Sequence, residues 1–368
     1  NFDRSVDSYL WSRDSKTIYF NAEDRGQMPI FAMAASAGSE PKPLLKDSFN
    51  SEFALTPDGK TLVLSRGSLT MPAELFAASA DGSDVRQLTR HNAEKLAQLD
   101  MNKAEHFWFD AGDGAKIHGM LIRPPAFDAN KKYPVLVLCH GGPQTMWGDT
   151  WSYRWNAQLF AAQGWVVVMI NRRGSTGFGQ KFTDEIANDW GGKAFSDLMT
   201  GLDYVLAKYP FTDRDRVAAA GGSYGGYMID WMESQAKGRF RAYVSHAGVF
   251  DLASMYGATE ELWFPEHEFG GAPWANAPAY EKQSPSSYVL ETGKYRTPTL
   301  VIAGEQDFRV PYTQSLELFT ALQRQGVPSK LVVFPDEGHG FVKKENEIRG
   351  YTAILEFLDK YLKGAPVG

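Results

Sequence analysis

The sequence predicts an α/β protein with a doubly wound, mostly parallel sheet, preceded by a short all-β segment. From residue 105 onwards, apolar runs alternate with helical patterns, which is typical of parallel strands with helices on both faces. Residues 1–104 instead repeat a pattern of turns and short β-rich runs. We therefore expect two domains, over residues 1–104 and 105–368.

The first hundred residues contain an internal repeat. Residues 12–20 recur as residues 56–64, a shift of 44 positions, and each copy is a polar turn that enters a β-rich run. A period of about 40 to 50 residues with several short strands is typical of propeller blades. Two blades cannot close a ring, so we expect this segment to be the last part of an incomplete β-propeller. The remaining blades would then lie upstream of Asn1 or on another chain; a small independent β-sandwich is the alternative.

Composition excludes several classes of protein. The formal net charge is -6, from 38 basic and 44 acidic side chains, and the absence of a basic block argues against a nucleic-acid partner. The strongly apolar runs, such as residues 165–170, fall far below the roughly 18 residues that would suggest a membrane span, which predicts a soluble protein. Cys139 is the single cysteine, so an internal disulfide is impossible.

The second domain begins with a hairpin-like pattern and continues as alternating strands and helices. Strands are predicted at residues 107–109, 117–122, 135–139, 165–170, 217–220, 242–245, 299–303 and 330–334. Helices are predicted at residues 196–209, capped by Ser196, and at 312–325 and 345–362. Because ligands of such sheets bind at the carboxyl ends of the strands, polar residues that follow a strand are candidates for the site.

One of these strands leads into a glycine-flanked serine, Gly221-x-Ser223-x-Gly225. This pattern is typical of a nucleophile elbow, in which a strained turn between strand and helix exposes the serine hydroxyl. Alone it fits a tight turn without chemistry equally well. The hypothesis therefore needs a base, an acid and donors for an oxyanion elsewhere in the chain.

Asp307 and His339 supply the acid and the base, since each lies in a loop after a predicted strand. The order Ser223, Asp307, His339 is that of α/β-hydrolases, which indicates a catalytic triad on that fold. Glu305 is the alternative acid. The other histidines considered are interpreted as structural or surface residues: His91, His106, His118 and His246.

Oxyanion donors are predicted in the loop that follows strand 135–139. His140 and Gly141 begin that loop, and the amide of Tyr224, next after the nucleophile, would be the other donor. A plain Gly-Gly-Pro turn is the alternative.

A binding module that kept the fold without activity would be expected to lack a triad member, and none is lacking.

No cofactor and no metal are expected. His267 lies between Glu266 and Glu268, but a His-Glu-x-x-His spacing or a cysteine pair is missing, which favours a solvated or substrate-facing loop. Residues 174–179 are rich in glycine but lack the Gly-Lys-Ser/Thr ending of a phosphate loop, which favours a turn.

The motifs together resemble those of the prolyl oligopeptidase family of serine peptidases. They are Gly-Gly-Ser223-Tyr-Gly-Gly-Tyr, His140-Gly-Gly-Pro, Asn171-Arg172-Arg173-Gly174-Ser175, Asp307-x-Arg309-Val-Pro and Gly338-His339-Gly-Phe. The family joins an α/β-hydrolase domain to a β-propeller that restricts entry to small peptides, so the resemblance covers nearly the whole chain. Within the family, residues 250–257 and 266–271 are most similar to dipeptidyl peptidases and next to acylaminoacyl peptidases.

The resemblance implies further roles. Arg309 would contact a substrate carbonyl, and an apolar pocket before the scissile bond would be lined by Tyr224, Val249, Phe250 and Tyr256. Some relatives place a tyrosine hydroxyl in the oxyanion hole. Here that place is nearest to His140, so a backbone donor, Gly141, is expected instead.

The implied activity is release of dipeptides from the free amino terminus of small peptides; acylaminoacyl peptidase or oligopeptidase activity is the alternative. Dipeptide release needs carboxylates to pair with the terminal ammonium, and the candidates are Glu260, Glu261, Glu266 and Glu268, unless the carboxylates lie in absent blades. The expected partners are peptide substrates and a possible second copy of the chain. The resemblance implies a periplasmic or secreted location, with the cytoplasm as the alternative.

Overall fold

The computed structural model describes residues 2–289 and 295–363, which form three β-sheets and the helices around the largest of them. The strands are β1 (Val6–Trp11), β2 (Thr17–Ala22), β3 (Ile30–Ala34), β4 (Lys42–Leu45), β5 (Phe49–Leu55), β6 (Thr61–Ser68), β7 (Met71–Ser79), β8 (Arg86–Gln87), β9 (Glu105–Asp110), β10 (Lys116–Ile122), β11 (Tyr133–Cys139), β12 (Val166–Asn171), β13 (Thr212–Gly222), β14 (Ala242–His246), β15 (Thr299–Gly304) and β16 (Ser329–Phe334). The helices are α1 (Ala93–Leu96), α2 (Ala157–Ala161), α3 (Gln180–Asp184), α4 (Lys193–Lys208), α5 (Tyr224–Gln235), α6 (Leu252–Tyr256), α7 (Trp263–Phe269), α8 (Ala277–Gln283), the 3₁₀ helix Pro285–Tyr288, α9 (Thr313–Arg324) and α10 (Lys344–Leu362).

The largest sheet has eight strands in the order β16-β15-β14-β13-β11-β12-β10-β9. Five of its seven strand pairings are parallel. Strands β9 and β10 form an antiparallel hairpin at one edge, and β10 also pairs antiparallel with β12. The predicted α/β class with a mostly parallel sheet is therefore confirmed.

Helices cover both faces of this sheet, as the side-chain alternation of its central strands requires. In β11, Val135 and Val137 belong to the core cluster that contains buried residues of α4 and α5. Leu136 and Leu138 belong to the opposite cluster, which contains buried residues of α2 and α10. With both faces covered, a ligand has access at the edge where the strands end, and the loops that follow β11, β13, β15 and β16 share that edge.

The internal repeat of the first hundred residues is present as two four-stranded antiparallel sheets, β1–β4 and β5–β8. Equivalent turns open the two copies, since Ser12 Oγ donates to Asp14 Oδ1 and Thr56 Oγ1 donates to Asp58 Oδ1, both over 2.7 Å. Buried side chains of both sheets form one apolar cluster: Tyr19, Ile30, Leu45, Leu62, Leu64 and Ala78. The sequence repeat thus corresponds to two copies of one structural unit that pack on each other.

Helix α4 begins at Lys193 and not at Ser196, which corrects the predicted start. The carboxylate of Asp189 accepts a hydrogen bond from the Lys193 amide over 2.9 Å and so satisfies one free donor of the first turn. Ser196 therefore lies one turn inside the helix. The sequence pattern could not reveal this start because the capping group lies four residues before the helix.

Across residues 2–289 and 295–363, none of the helices combines the length and the apolar character that a membrane crossing requires.

Candidate active site

Ser223 occupies the turn between β13 and α5 with φ 60° and ψ −125°. A positive φ is rare for a residue with a side chain, and such strain costs on the order of 1–3 kcal/mol. The Ser223 amide donates to the carbonyl of His246 at the end of β14 over 2.9 Å, which helps to hold the turn. This is the strained strand-to-helix turn that the glycine pattern predicted.

Close packing beneath the turn explains why residue 225, two positions after the serine, is a glycine. A β-carbon built on Gly225 would lie 2.1 Å from the carbonyl oxygen of Cys139, the last residue of β11. Only a glycine allows the first turn of α5 to approach this strand so closely. The approach brings Ser223 next to the loop that follows β11.

Asp307 and His339 meet at the same edge of the sheet. His339 Nδ1 lies 2.8 Å from Asp307 Oδ2, and this carboxylate is buried. The amides of Arg309 and Val310 donate to the other carboxylate oxygen over 3.0 and 2.9 Å. Since Nδ1 donates to the carboxylate, Nε2 of the imidazole is left as the base. Glu305, the alternative acid, is exposed and does not take this position.

Ser223 and His339 line one cavity of about 520 Å³. Gly141, Arg309 and Glu261 line it too, so five of the candidate residues named from the sequence face the same space. His339 is partly exposed there, with 21% of its side chain accessible, which leaves its ring open to a substrate. The cavity is therefore large enough for part of a peptide and contains the serine and the histidine.

Two backbone amides beside Ser223 have no hydrogen-bond acceptor among the described residues. One is that of Gly141, on which a built β-carbon would lie 3.3 Å from Ser223 Cβ and 3.9 Å from Ser223 Oγ. The other is that of Tyr224, the first residue of α5, whose amide has no partner within its own helix. An oxyanion that forms on a substrate bound to Ser223 could accept hydrogen bonds from both.

His140 is not among the residues that line this cavity, and its imidazole holds the loop in place. Its Nε2 lies 2.9 Å from Ser175 Oγ and its Nδ1 lies 2.8 Å from the Gly141 carbonyl. Burial, together with the nearby charge of Arg172, lowers the pKa of His140 well below 6.5, so the ring is neutral. The side chain of His140 thus anchors Gly141.

Arg172 is buried beneath the same loop and was not assigned a role from the sequence beyond its place in a motif. Its guanidinium donates to the Pro143 carbonyl over 3.1 Å and lies over the ring of Tyr224, 4.3 Å from its centroid. The Tyr224 hydroxyl in turn donates to the Trp190 carbonyl over 2.5 Å. The ring of Tyr224 is therefore part of the support of the site, and only its amide is placed to meet a substrate.

An acidic pair holds Arg309 at the cavity. Glu261 Oε1 lies 3.0 Å from Arg309 Nε, and Glu260 Oε1 lies 3.5 Å from a terminal nitrogen of the same guanidinium. Of the two glutamates, Glu261 lines the cavity and Glu260 does not. Arg309 is about half exposed, so it retains donors that a substrate carbonyl can reach.

The apolar residues assigned to a specificity pocket are divided between two core clusters. Val249 packs in the core cluster that contains Tyr224 and Tyr256. Phe250 belongs to a different cluster, with Val301 and Leu318, and is buried there. Phe250 therefore packs in a different apolar cluster from the other three candidates.

Three remaining acidic and aromatic candidates are engaged with one another or with the core. The Tyr256 hydroxyl donates to Glu266 Oε1 over 2.7 Å. Glu268 is buried and accepts from Trp190 Nε1 over 2.7 Å and from Gln144 Nε2 over 2.9 Å. Glu268 is thus occupied by protein donors and is not available to a substrate ammonium.

Several residues that line the cavity were not assigned to the site from the sequence: Gln144, Thr145, Arg154, Trp155, His246, Trp263 and Phe264. His246 was interpreted as structural, but it lies at the end of β14 beside the serine turn and its ring stacks on Phe341 at 4.8 Å. Burial, with the nearby charges of His339 and Arg154, lowers the pKa of His246 to about 4. Its position directly after a strand was the only signal in the sequence.

No group of three or more histidine, cysteine, aspartate or glutamate side chains able to hold a metal ion occurs in the part of the chain that the structure describes.

The strand order, the serine turn and the buried Asp307–His339 pair together define an α/β-hydrolase domain. Residues 151–365 match the Prolyl oligopeptidase family, and this chain belongs to that family. The resemblance inferred from the motifs is thereby confirmed.

The curated relatives of this chain include several proteins named dipeptidyl-peptidase 5. The chain is 40% identical over 367 residues to the probable dipeptidyl-peptidase 5 of Trichophyton verrucosum. The alignment covers 98% of this chain and 50% of that protein. It is 36% identical over 365 residues to the dipeptidyl-peptidase 5 of Schizosaccharomyces pombe, covering 96% of this chain and 52% of that protein. The chain spans about half the length of these curated relatives.

Solved structures extend the likeness to the whole described fold. An acylaminoacyl peptidase of Pyrococcus horikoshii matches with a TM-score of 0.88 and 28% identity, covering 100% of this chain and 57% of that one. A dipeptidyl peptidase 4 of Porphyromonas gingivalis matches with a TM-score of 0.82 at 19% identity, which supports the fold alone.

Proposed function

We propose that this protein is a serine peptidase that uses Ser223 as nucleophile, His339 as general base and acid, and Asp307 as the group that orients the histidine. The observation that carries the proposal is the bond between His339 Nδ1 and the buried Asp307 carboxylate in a cavity that also contains Ser223. His339 takes the hydroxyl proton as the serine attacks a peptide carbonyl, and an acyl-enzyme forms. The same imidazole then gives its proton to the leaving amine, and water releases the acyl group.

The amides of Gly141 and Tyr224 stabilise the oxyanion of the tetrahedral intermediate. Their position beside Ser223 and their lack of protein acceptors in the described chain support this role. A single donor of this kind contributes about 3–4 kcal/mol where one has been removed. His140 acts through its bonds to Gly141 and Ser175, which fix the loop, and is a positioning residue.

The peptidase releases dipeptides from a free amino terminus, with an apolar residue before the scissile bond. The curated relatives with 36–40% identity are named dipeptidyl-peptidase 5, which supports this specificity. Glu261 is the carboxylate best placed to meet the terminal ammonium, because it lines the cavity, and Glu260 pairs with the same Arg309 guanidinium. Arg309 donates to the carbonyl of the amino-terminal residue.

Val249 and Tyr256 contribute to the apolar pocket before the scissile bond, from the core cluster next to Tyr224. Glu266 contributes indirectly, through its hydrogen bond with the Tyr256 hydroxyl. Phe250, the remaining candidate for this pocket, is buried in a separate apolar cluster with Val301 and Leu318.

The two four-stranded sheets of residues 6–87 are the last blades of a β-propeller that stands before the catalytic domain of residues 105–368. Their repeat and shared core support this reading. Exposed aromatic side chains on β1, among them Tyr9 at 69% and Trp11 at 51%, are consistent with a further blade against that strand.

Release of an acylated amino-terminal residue is the second candidate. It is favoured by the match to acylaminoacyl peptidases of Pyrococcus horikoshii over the whole chain, with a TM-score of 0.88. Such a substrate has no terminal ammonium, so Glu261 would have no cation to bind.

Two assays on the full-length protein test the proposal. Labelling with a fluorophosphonate, mapped by peptide mass, should modify Ser223 and no other serine. Dipeptide coumarin reporters with a free and with an acetylated amino terminus should then be hydrolysed unequally, the free form by far the faster. Turnover of the acetylated reporter alone would support the second candidate, and absence of labelling at Ser223 would contradict the peptidase proposal.

A further inference from the structure

A second cavity, of about 410 Å³, adjoins the catalytic cavity. We name it the tryptophan chamber, because Trp147, Trp151 and Trp155 line it together with Leu69 and Met169. The two cavities share part of their walls: Gly141, Thr145, Arg154, Trp155 and Gly222. The tryptophan chamber therefore opens onto the wall that carries the proposed oxyanion donor Gly141.

The charged residues that line the catalytic cavity fall into two groups according to whether they also line the tryptophan chamber. Glu261 and Arg309 line the catalytic cavity alone, whereas Arg154 lies in the wall common to both cavities. The acidic end, where the proposed function places the amino terminus of the peptide, is thus distinct from the wall that leads to the tryptophan chamber. A peptide that begins at the acidic end and passes Ser223 continues towards Arg154.

Arg154 lies against the loop of the catalytic histidine. A β-carbon built on Gly340 would lie 2.7 Å from a terminal nitrogen of the Arg154 guanidinium. His339, the preceding residue, must give its proton to the leaving nitrogen, so the residue after the scissile bond lies beside this loop. Arg154 is therefore next to the leaving part of the substrate.

The guanidinium of Arg154 has no protein partner in the described parts of the chain. Its backbone bonds with Ser152 Oγ, but no carboxylate and no carbonyl accepts from its side chain across residues 2–289 and 295–363. Arg309, by contrast, is paired with two glutamates. An unpaired guanidinium beside a reacting centre is suited to a carboxylate, which it can bind through two parallel hydrogen bonds.

We propose that Arg154 binds the free carboxylate of the residue that follows the scissile bond, while the side chain of that residue enters the tryptophan chamber. The favoured substrates are then tripeptides with an apolar or aromatic third residue. This inference rests on the proposed dipeptide release, since it assigns the space beyond the released dipeptide. Aromatic walls accept such a side chain, and the cavity is large enough for one.

The test compares two tripeptides that differ only at the carboxyl end, Val-Phe-Leu with a free carboxylate and Val-Phe-Leu amide, with the full-length protein. We expect kcat/KM to be at least about tenfold higher for the free acid, because one charge-assisted pair is lost in the amide. In Arg154→Met the ratio of acid to amide should fall to within about twofold, and Arg154→Lys should keep part of the preference. Arg324→Met, an exposed substitution on α9 outside both cavities, is the matched control and should keep the full ratio.

A wild-type ratio near one, or a ratio that Arg154→Met leaves unchanged, would overturn the assignment of Arg154. A dipeptide coumarin reporter, which has no carboxylate, separates the two levels of inference. If the reporter is hydrolysed while the acid and the amide react equally, only the role of Arg154 is refuted. If neither the reporter nor the tripeptides are hydrolysed, dipeptide release is refuted and the role of Arg154 with it.

Discussion

His339 Nδ1 and Asp307 Oδ2 lie 2.8 Å apart, although 32 positions separate the two residues in the chain. Strands β15 and β16 are parallel neighbours, so the loops that follow them lie side by side. The bond fixes the ring with Nε2 free, and the two amides on the other carboxylate oxygen hold Asp307 in place. Removal of any member of this arrangement should therefore lower turnover.

Substitution of the nucleophile or the base should abolish turnover. Ser223→Ala and His339→Ala should each lower kcat by roughly six powers of ten, by analogy with the triad of subtilisin, whose members act as one unit on an unrelated fold. Hydrolysis of a dipeptide coumarin reporter measures the loss. Ser196→Ala, an exposed serine on α4, is the matched control and should keep wild-type kcat. Activity within tenfold of wild type in Ser223→Ala would contradict the mechanism.

Asp307→Ala should cost less than either of these changes, about 3 × 10⁴ in kcat, because the base remains and loses only its orienting partner. The same reporter assay checks the order of the three variants. A loss in Asp307→Ala that exceeds the loss in His339→Ala would show that the carboxylate has another role. Glu305→Ala is the control, since Glu305 is exposed and leaves the Asp307–His339 bond intact.

Glu261→Gln should weaken the binding of peptides with a free amino terminus. Glu261 lines the cavity and pairs with Arg309, so its charge faces the position proposed for the ammonium. We expect KM for a free dipeptide reporter to rise about tenfold or more while kcat changes little. Glu266→Gln, which can keep the bond with the Tyr256 hydroxyl and lies outside the cavity lining, should change KM by less than about twofold. Equal effects of the two changes would argue against Glu261 as the ammonium site.

Gly225→Ala should destabilise the catalytic domain. The added methyl would lie 2.1 Å from the Cys139 carbonyl oxygen, and neither backbone segment can move without disturbing the serine turn. We expect the free energy of unfolding to fall by about 3 kcal/mol, measured by urea denaturation. Gly112→Ala is the matched control, because a β-carbon there meets nothing within 4 Å. A change below about 0.5 kcal/mol in Gly225→Ala would contradict the predicted close contact.

Glu233 should make stability fall as pH rises. Burial in α5 raises the pKa of Glu233 to about 8, against 4.5 for an ordinary glutamate, although the Arg296 and Thr297 amides partly offset the shift. The folded state then holds the proton more tightly than the unfolded state. The contribution of protonated Glu233 to the free energy of unfolding is therefore fully present below about pH 4.5 and is lost as pH rises towards 8.

Glu233→Gln removes the titrating carboxyl group. The difference in unfolding free energy between wild type and variant, measured over a range of pH, therefore gives the contribution of Glu233. As pH rises from 5 to 8, the free energy of unfolding of the variant should increase by on the order of 3 kcal/mol relative to that of the wild type. Asp230 is buried beside Glu233 and its pKa is also raised by burial, which is why the comparison uses the variant and not the wild-type curve alone.

The sequence by itself determined the α/β class, the places of the central strands, and the serine turn. Each depends on local chemistry: unbroken apolar runs become buried strands, and the glycines around Ser223 allow the close packing that the serine turn needs. The order of Ser223, Asp307 and His339 also indicated which residues would meet, since strand ends of a parallel sheet share one edge.

Only the tertiary structure decided which side chains face the site. Glu261 and Glu268 are both glutamates in one acidic stretch, yet the first lines the cavity and the second is buried among protein donors. Val249 and Phe250 are adjacent but pack in different clusters, and Arg154 is brought beside His339 from a loop far away in the chain. Such choices depend on the direction of each side chain within a packed fold, and that direction is set by contacts between segments that the local sequence does not record.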